Sequence, residues 1–346
     1  MKKQLFCMIF IVCVLTSVLL ITSILWTHGN LVTWNKEWDA DSLQKTQINR
    51  LPSGKESVNL TDGVYSYYLN ITQFLSEFPV LQDYQCSLTL TPHGHFEETL
   101  AQPLLILAIK SHLASGARRN ALRQTWAREG EVSGYWVKPI FLTAQTAKKG
   151  QTEILKIENR EFGDILQWDF SESHHNLSLK ERCFLEWLHH HLPRVAFIFK
   201  GDDDEYVNPY AVVQYIKEHG QSPITLHGFR QPDLAVMRHR KYSVSRTLYP
   251  FHKYPQFLSG GGFLYPGCSV KSLYEASQKI PVFPLDDVYF AFLSLASNLT
   301  HRHDARFRVL GLAFDACQYQ RALVVHGIGP ERMMEIYQVI QRTQCT

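Results

Sequence analysis

The sequence predicts an α/β domain on a largely parallel sheet, carried behind an N-terminal membrane segment and a polar stem. Three observations point there. Short uninterrupted apolar runs, Leu104–Ile109 and Val195–Phe199, have the texture of strands buried on both faces. They alternate with segments of helical periodicity, the rhythm of a sheet covered by helices. The stretch from Leu100 to Thr346, about 245 residues, is long enough to bury one such core. Composition agrees: with 45% hydrophobic and 19% charged residues, wholesale disorder is excluded. A formal net charge of +3 lacks the basic excess of a dedicated nucleic-acid binder. There is no Gly-x-y period and no long internal repeat, which sets aside fibres, solenoids and propellers.

In chain order, Leu5–Trp26 comes first. Its 22 residues carry no charge, and at about 1.5 Å per residue they span a hydrocarbon core of about 30 Å. Lys2 and Lys3 precede the run and the next basic residue is Lys36. The positive-inside rule then leaves residues 1–4 in the cytosol and sends the rest across the membrane. A cleaved signal peptide has a shorter apolar region and a small-residue cleavage site, and Trp26-Thr27-His28-Gly29 is a poor one. The expectation is an uncleaved signal anchor over residues 5–26. Four N-x-[ST] sequons, at Asn59, Asn70, Asn176 and Asn298, all follow it. Beyond the anchor lie Cys86, Cys183, Cys268, Cys317 and Cys345. An odd number in an oxidising compartment allows at most two intrachain bridges, with the pairing open.

Residues 27–99 are polar and irregular, broken by Pro52, Gly54 and Gly63. They read as a mostly extended stem with a short helix near Gln73–Phe78. The domain proper is expected over residues 100–346. After the strand at Leu104–Ile109 come a helix at Arg118–Arg128, a strand at Pro139–Thr143, a helix at Thr152–Arg160 and a strand at Asp164–Phe170. A helix at Leu179–His190 places Cys183, Phe184, Trp187 and Leu188 on one face. Val195–Phe199 is a buried strand, followed by helix at Pro209–His219 and strand at Ile224–Phe229.

Lys200-Gly201-Asp202-Asp203-Asp204 directly follows the Val195–Phe199 run. In open α/β sheets, ligands bind outside the carboxyl ends of the strands. Three adjacent carboxylates repel one another unless a cation or solvent screens them. Hard oxygen ligands suit Mg²⁺ or Mn²⁺, which bridge protein carboxylates to substrate phosphates. The run His189-His190-His191 is different: it lies at a helix end before Pro193, and adjacent residues do not share a helical face. It reads as C-terminal helix polarity. No GxGxxG follows a strand, so a dinucleotide cofactor is unsupported.

At this point the chain resembles a family. Lys200–Asn208 (KGDDDEYVN) is similar to the DxD segment of the β-1,3-glycosyltransferases of glycosyltransferase family 31. Arg118–Trp126, Phe257–Pro266, Pro284–Phe290 and Leu323–His326 resemble four more of its motifs, in family order. The KGDDD and PLDDV forms look closest to its N-acetylglucosaminyltransferase branch. The resemblance implies a GT-A, Rossmann-like fold that binds a UDP-sugar with a divalent ion, usually Mn²⁺, on the diphosphate. It implies Asp204 and His326 as metal ligands and Asp287 as general base. It further implies donor contacts from Arg119, Arg123, Lys200, Asp202, Asp203 and the backbone of Gly260, Gly261 and Gly262. Tyr254, Phe257 and Asp286 are the implied acceptor contacts.

Departures lie close to the site. Glu205-Tyr206 stands where the family usually has an apolar pair, Leu192-Pro193 replaces a common Cys-Pro, and Ala291-Phe292 replaces a usual Leu-Gly. The Leu192 exchange implies that one family disulfide is absent. The resulting expectation is a Golgi type II membrane enzyme. It transfers GlcNAc from UDP-GlcNAc to the 3-hydroxyl of a terminal galactose on a glycoprotein or glycolipid, with inversion. A homo-oligomer is compatible with this reading, and no nucleic-acid partner is expected. The alternatives are a UDP-galactose β-1,3-galactosyltransferase and a catalytically inactive lumenal glycan binder on the same fold.

Overall fold

A computed structural model describes residues 56–93, 101–146 and 148–345. The expected anchor (5–26) and the stem up to residue 55 lie outside these. Among the described residues no helix is long and apolar enough to cross a membrane.

The first elements are β1 (Ser57–Thr61), β2 (Ser66–Asn70), α1 (Ile71–Glu77), α2 (Pro79–Asp83) and β3 (Leu88–Leu90). Then follow β4 (Leu104–Lys110), α3 (Gly116–Gln124), β5 (Gly130–Val132), β6 (Tyr135–Gln145), α4 (Lys149–Phe162), β7 (Ile165–Ser171), α5 (Leu177–His191) and β8 (Phe197–Asp202). The chain continues through β9 (Glu205–Val207), α6 (Pro209–His219), β10 (Thr225–Arg230), β11 (Leu258–Pro266), α7 (Val270–Ser277) and α8 (Asp286–Ala296). It closes with β12 (Thr300–His303), β13 (Phe307–Arg308), α9 (Ala316–Arg321), β14 (Val324–His326) and α10 (Pro330–Arg342). Each helix and strand expected from Leu104 to Phe229 is present, with ends shifted by a few residues. The helix at α3 is the exception in length: it stops at Gln124, where the Thr125 hydroxyl bonds back to the Ala121 carbonyl.

The mixed α/β architecture is as expected, but the sheet is less parallel than its apolar runs imply. Its order is β12-β10-β11-β8-β4-β6-β7-β3, with β5 paired to β6. β8, β4, β6 and β7 form a parallel centre. β11 inserts antiparallel between β10 and β8, and β3 is antiparallel on β7. The reason lies in the connection: β10 and β11 are joined by a long loop rather than a helical crossover, and a loop can return a strand in either direction. A separate small sheet, β13-β14-β9, stands beside the large one.

Strand alternation divides the core into two layers. On β4, Leu104, Ile106 and Ala108 point to one face, where they meet Cys183, Phe184 and Leu188 of α5. Leu105, Leu107 and Ile109 point to the other, against Leu122 and Trp126 and the α6 and α10 residues Val212, Ile336 and Ile340. The sheet is thus covered on both sides, which explains why its central strands read as uninterrupted apolar runs.

Residues 56–93 correct the domain boundary. Read from sequence as stem, they are part of the folded domain. Tyr67, Leu69, Phe74 and Leu81 are buried in the same core layer as α5. The Gln82 amide donates to the Val282 carbonyl and accepts from the Val282 N–H, both at 2.9 Å. Glu77 accepts from Ser245 and Thr247. Cys86 is disulfide-bonded to Cys183. The strands are short and carry exposed residues between buried ones, so no long hydrophobic period marks them. The second bridge is Cys317–Cys345, and Cys268 is a free, exposed thiol. That is the two-bridge limit set by an odd count.

This boundary has a direct test. Gln82→Ala leaves both Val282 backbone groups without their buried partner. It should cost about 1–3 kcal/mol in denaturant unfolding, whereas Gln85→Ala, at an exposed site, should stay within about 0.5 kcal/mol. Equal, negligible effects would return the segment to a stem.

Candidate active site

The site begins with strand register. β4 and β8 are parallel neighbours in which Lys110 pairs with Asp202, so both side chains emerge at the carboxyl end of the sheet. The Lys110 ammonium lies 3.2 Å from Asp202 Oδ1 and 2.9 Å from Asp286 Oδ2, with only 6% of its side chain exposed. One cation therefore joins the end of β8 to the start of α8. The next residues extend the cluster. Ser111 Oγ donates to Asp203 Oδ2 at 2.8 Å. Arg118 Nη1 stands 3.2 Å from Asp203 Oδ1 and 3.3 Å from Asp204 Oδ2.

A second register brings in β14. It pairs antiparallel with β9 so that His326 faces Glu205. The Asp204 carbonyl accepts from the N–H groups of Gly327 and Ile328, which fixes the turn after β14. His326 Nε2 then lies 3.4 Å from Asp204 Oδ1. Asp202, Glu205 and His326 each offer a ligand atom, all within 4.8 Å of one another. Glu205 is fully buried, and among the described residues neither of its carboxylate oxygens has a hydrogen-bond partner. Burial first, then the Asp202 charge, push its carboxyl well above the usual carboxylate range. Two carboxylates and an imidazole, one carboxylate orphaned, suit a hard or borderline divalent cation.

Asp286 and Asp287 are adjacent yet differ in acidity. Against the opposing effect of burial, the Lys110 and Lys200 ammoniums hold Asp286 well below the usual carboxylate range. Burial and the Asp286 charge push Asp287 up to about 7. Asp287 Oδ2 accepts the Gly260 N–H at 3.0 Å. A pair of neighbouring carboxyls, one fixed as an anion and one poised near neutrality, divides the roles of charge holder and base.

The structure thus brings together Asp202, Asp203, Asp204, His326, Asp286, Asp287 and Gly260. The glycines serve the protein's own packing. A Cβ at Gly260 would collide with the Asp287 carboxylate, and one at Gly261 would press on Val309 near His326. Gly262 has φ +111° and lies against Val324, a conformation that L side chains rarely adopt. Asp286 is bound to Lys110 rather than offered outward as an acceptor contact.

Five expected contact residues are turned into the protein's own packing. Arg119 is 1% exposed and bonds to Glu158, Ser111 Oγ and the carbonyls of His112 and Leu113. Arg123 grips Asp164 and Glu158 between the rings of Phe141 and Phe162. Both are structural because they lie on the α3 face turned toward α4. Lys200 is buried against Glu181 and over the Phe263 ring. Tyr254 is packed against Tyr249 and Phe283 in the core, and Phe257 packs at its margin. Arg118, one position from Arg119, is the arginine that reaches the carboxylates.

Lys110, Ser111, Arg118 and Glu205 are the site residues that sequence reasoning missed. A Lys-Ser pair ending an apolar strand was the available signal for the first two. The histidine run ends α5 as expected, with His189 stacked on Tyr274. Of the sequons, Asn59 and Asn298 are exposed. Asn70 caps α1 through its side-chain oxygen, and the Asn176 amide nitrogen donates to the Ser171 carbonyl.

Carboxylates at strand ends, a candidate cation site and a carboxyl held near neutrality thus lie together at the carboxyl end of the sheet. Comparison with known proteins gives the class. Residues 117–305 match the family described as Galactosyltransferase. The UDP-GlcNAc:betaGal beta-1,3-N-acetylglucosaminyltransferase 7 of Rattus norvegicus is 28% identical over 338 residues, 90% of this chain and 85% of its own. The acetylgalactosaminyl-O-glycosyl-glycoprotein beta-1,3-N-acetylglucosaminyltransferase of Mus musculus is 30% identical, over 86% of this chain and 80% of its own. The beta-1,3-galactosyltransferase 5 of Pan paniscus is also 30% identical, over 69% and 81%. The protein is a glycosyltransferase. It belongs to the galactosyltransferase family, and the resemblance drawn from the five motifs holds.

The reassignment of the arginines is measurable. Arg119→Ala strips a buried cation from Glu158 and should cost about 3 kcal/mol or more in denaturant unfolding. Arg118→Ala, at a side chain 37% exposed, should stay within about 1 kcal/mol. The reverse order would return Arg119 to the contact role expected from sequence.

Proposed function

We propose that the protein is an inverting β-1,3-N-acetylglucosaminyltransferase of the Golgi lumen, held by residues 5–26 as a single-pass type II membrane protein. It moves GlcNAc from UDP-GlcNAc to the 3-hydroxyl of a galactose-terminated glycan. The observation that carries this reading is the split in acidity between Asp286 and Asp287, next to the Asp202–Asp204 cluster. The names of the two relatives matched over most of both chains supply the donor and linkage, and the KGDDD and PLDDV forms support the same branch. The 30% identical beta-1,3-galactosyltransferase 5 favours galactose as the second reading of the donor.

The chemistry needs a base. A sugar hydroxyl is a weak nucleophile at neutral pH, and a placed carboxylate that takes its proton contributes about 10²–10⁴-fold in rate. Asp287 does this. The acceptor oxygen forms its bond to the anomeric carbon as the bond to the UDP oxygen breaks, and the hydroxyl proton passes to the Asp287 carboxylate. A single displacement of this kind inverts the anomeric centre. Asp286 stays ionised on Lys110 and raises the basicity of its neighbour. Asp204 and His326, with Asp202 beside them, would hold Mn²⁺ or another divalent cation. When bound, that cation supplies positive charge to the diphosphate leaving group. Arg118 at the rim of the cluster offers a planar guanidinium suited to phosphate oxygens.

Turnover with a panel of UDP-sugars tests the donor: preferred GlcNAc transfer is expected, and chelation should abolish it until Mn²⁺ is restored. Preferred galactose transfer would move the protein to the second reading. UDP binding without turnover of any donor would make it an inactive binder. Protection of residues beyond 27 from protease in sealed Golgi vesicles checks the placement. The base gives a pH signature. Only ionised Asp287 accepts a proton, so kcat/KM should rise with pH through about 7 and level off above it. Asp287→Asn should lose about two orders of magnitude or more in turnover with little change in melting temperature. Asp286→Asn removes a charge that holds the Asp287 proton on and frees Lys110 to oppose it, so the limb should move to lower pH. A flat profile between pH 5 and 8 would remove Asp287 from this role.

A further inference from the structure

Glu205 is the group that the reaction described above does not use. It has no exposed surface and lies on β9 between the buried Tyr206 and the carboxylate cluster. Its carboxylate folds back over Gly201, where a Cβ would collide with Oε2. Among the described residues neither oxygen has a hydrogen-bond partner. A buried carboxylate in that condition is costly in either protonation state. Among the described residues the anion has no direct ion-pair partner, and the neutral acid has a hydroxyl that still needs an acceptor. Proteins keep such groups where they are paired or bind a metal.

The direction in which Glu205 points decides between these. Its register partner is His326, and its carboxylate, the His326 ring and Asp202 offer ligand atoms within 4.8 Å of one another. Ligands on one ion at about 2.1–2.2 Å stand no more than about 4.4 Å apart. The three groups are therefore close enough for side-chain rotation to bring them onto one ion. Two carboxylates and a neutral imidazole balance a divalent charge, and the imidazole nitrogen favours Mn²⁺ over Mg²⁺.

We infer that Glu205 is a direct ligand of the divalent cation, adding to Asp204 and His326 on the side of Asp202, so that the protein binds the ion before any nucleotide-sugar arrives. This rests on the metal-dependent reading of the site. A site with fewer protein carboxylates would depend on the diphosphate to bring its ion. Here the orphaned carboxylate supplies the missing negative charge from the protein itself.

The test uses Mn²⁺ alone. Titration of the glycosylated protein followed by the electron paramagnetic resonance of free Mn²⁺ should show one ion taken up without UDP. Glu205→Gln keeps the shape and removes the charge. Glu205→Val matches the apolar neighbours and guards against a fold defect. Both should weaken Mn²⁺ binding by more than about tenfold. The rise in melting temperature that Mn²⁺ gives the wild type by linkage should be lost in both. Glu205→Val should melt higher than the wild type in chelator, because the unpartnered carboxylate is gone. Equal Mn²⁺ affinity in wild type and both variants overturns the assignment and leaves the metal reading of the site standing. Absence of Mn²⁺ uptake by the wild type, with UDP as well as without it, overturns both.

Discussion

The buried ammonium of Lys110 stands between Asp202 and Asp286, and the arrangement of the site follows from it. Asp202 ends the strand that leads into the acidic turn, and Asp286 opens the helix that carries Asp287. These elements are far apart in sequence and share no strand pairing. A charge at the end of β4 is what lets two anions approach from opposite sides. Removing it would leave carboxylates facing one another in a site of low polarity, a change that costs several kcal/mol per uncompensated ion. The same cation is one of the influences that oppose protonation of Asp287. Lys110 therefore positions the carboxylate cluster and bears on the acidity of Asp287.

Around it, buried ion pairs lock the supporting elements. Glu181 and Lys200 join α5 to β8, while Glu172 and Lys180 join the end of β7 to α5. Lys180 also donates to the Ser111 carbonyl, which steadies the turn after β4. On the other face, Arg119 and Arg123 tie α3 to Glu158 of α4 and to Asp164. Arg119 also donates to Ser111 Oγ, the group that holds Asp203. It supports the site through an intermediary without touching the carboxylate turn. Pairs of this kind contribute less to stability than their number implies, because desolvation offsets most of their attraction. Their effect is to permit few alternative placements of the turn.

Much of the fold was legible in the sequence because the central strands are buried on both faces and separated by helices with clear periodicity. What failed was governed by long-range pairing. The antiparallel entry of β11 depends on a loop whose path no local pattern encodes. The segment containing Gln82 and Cys86 is polar and broken locally, and its partners Val282 and Cys183 are distant in sequence. At the site, residue type and motif order found the carboxylates, His326 and Asp287. The resemblance implied donor contacts from Arg119 and Arg123, but both turn inward onto Glu158. A rotation of about 100° per residue gives Arg118 the outward direction. Tyr254, an acceptor contact on the resemblance, instead completes a core cluster with Tyr249 and Phe283. Glu205 stood out only as a departure from pattern, and its meaning appears once β9 is paired with β14.

The amino-terminal segment of the domain has a consequence for the order in which the molecule is completed. Residues 57–90 leave the ribosome before any of the surfaces they cover. Gln82 is separated from Val282 by 200 residues and Cys86 from Cys183 by 97. At about 5–20 residues per second, the wait for Val282 is on the order of 10–40 s. For the first half of that interval Cys86 is a thiol without its native partner, and until its end Phe74 and Tyr67 lack the rings of Phe283 and Phe292 that they pack on. The part of the domain made first is finished last, and its apolar side chains stay partly uncovered until the surfaces they pack on have been made.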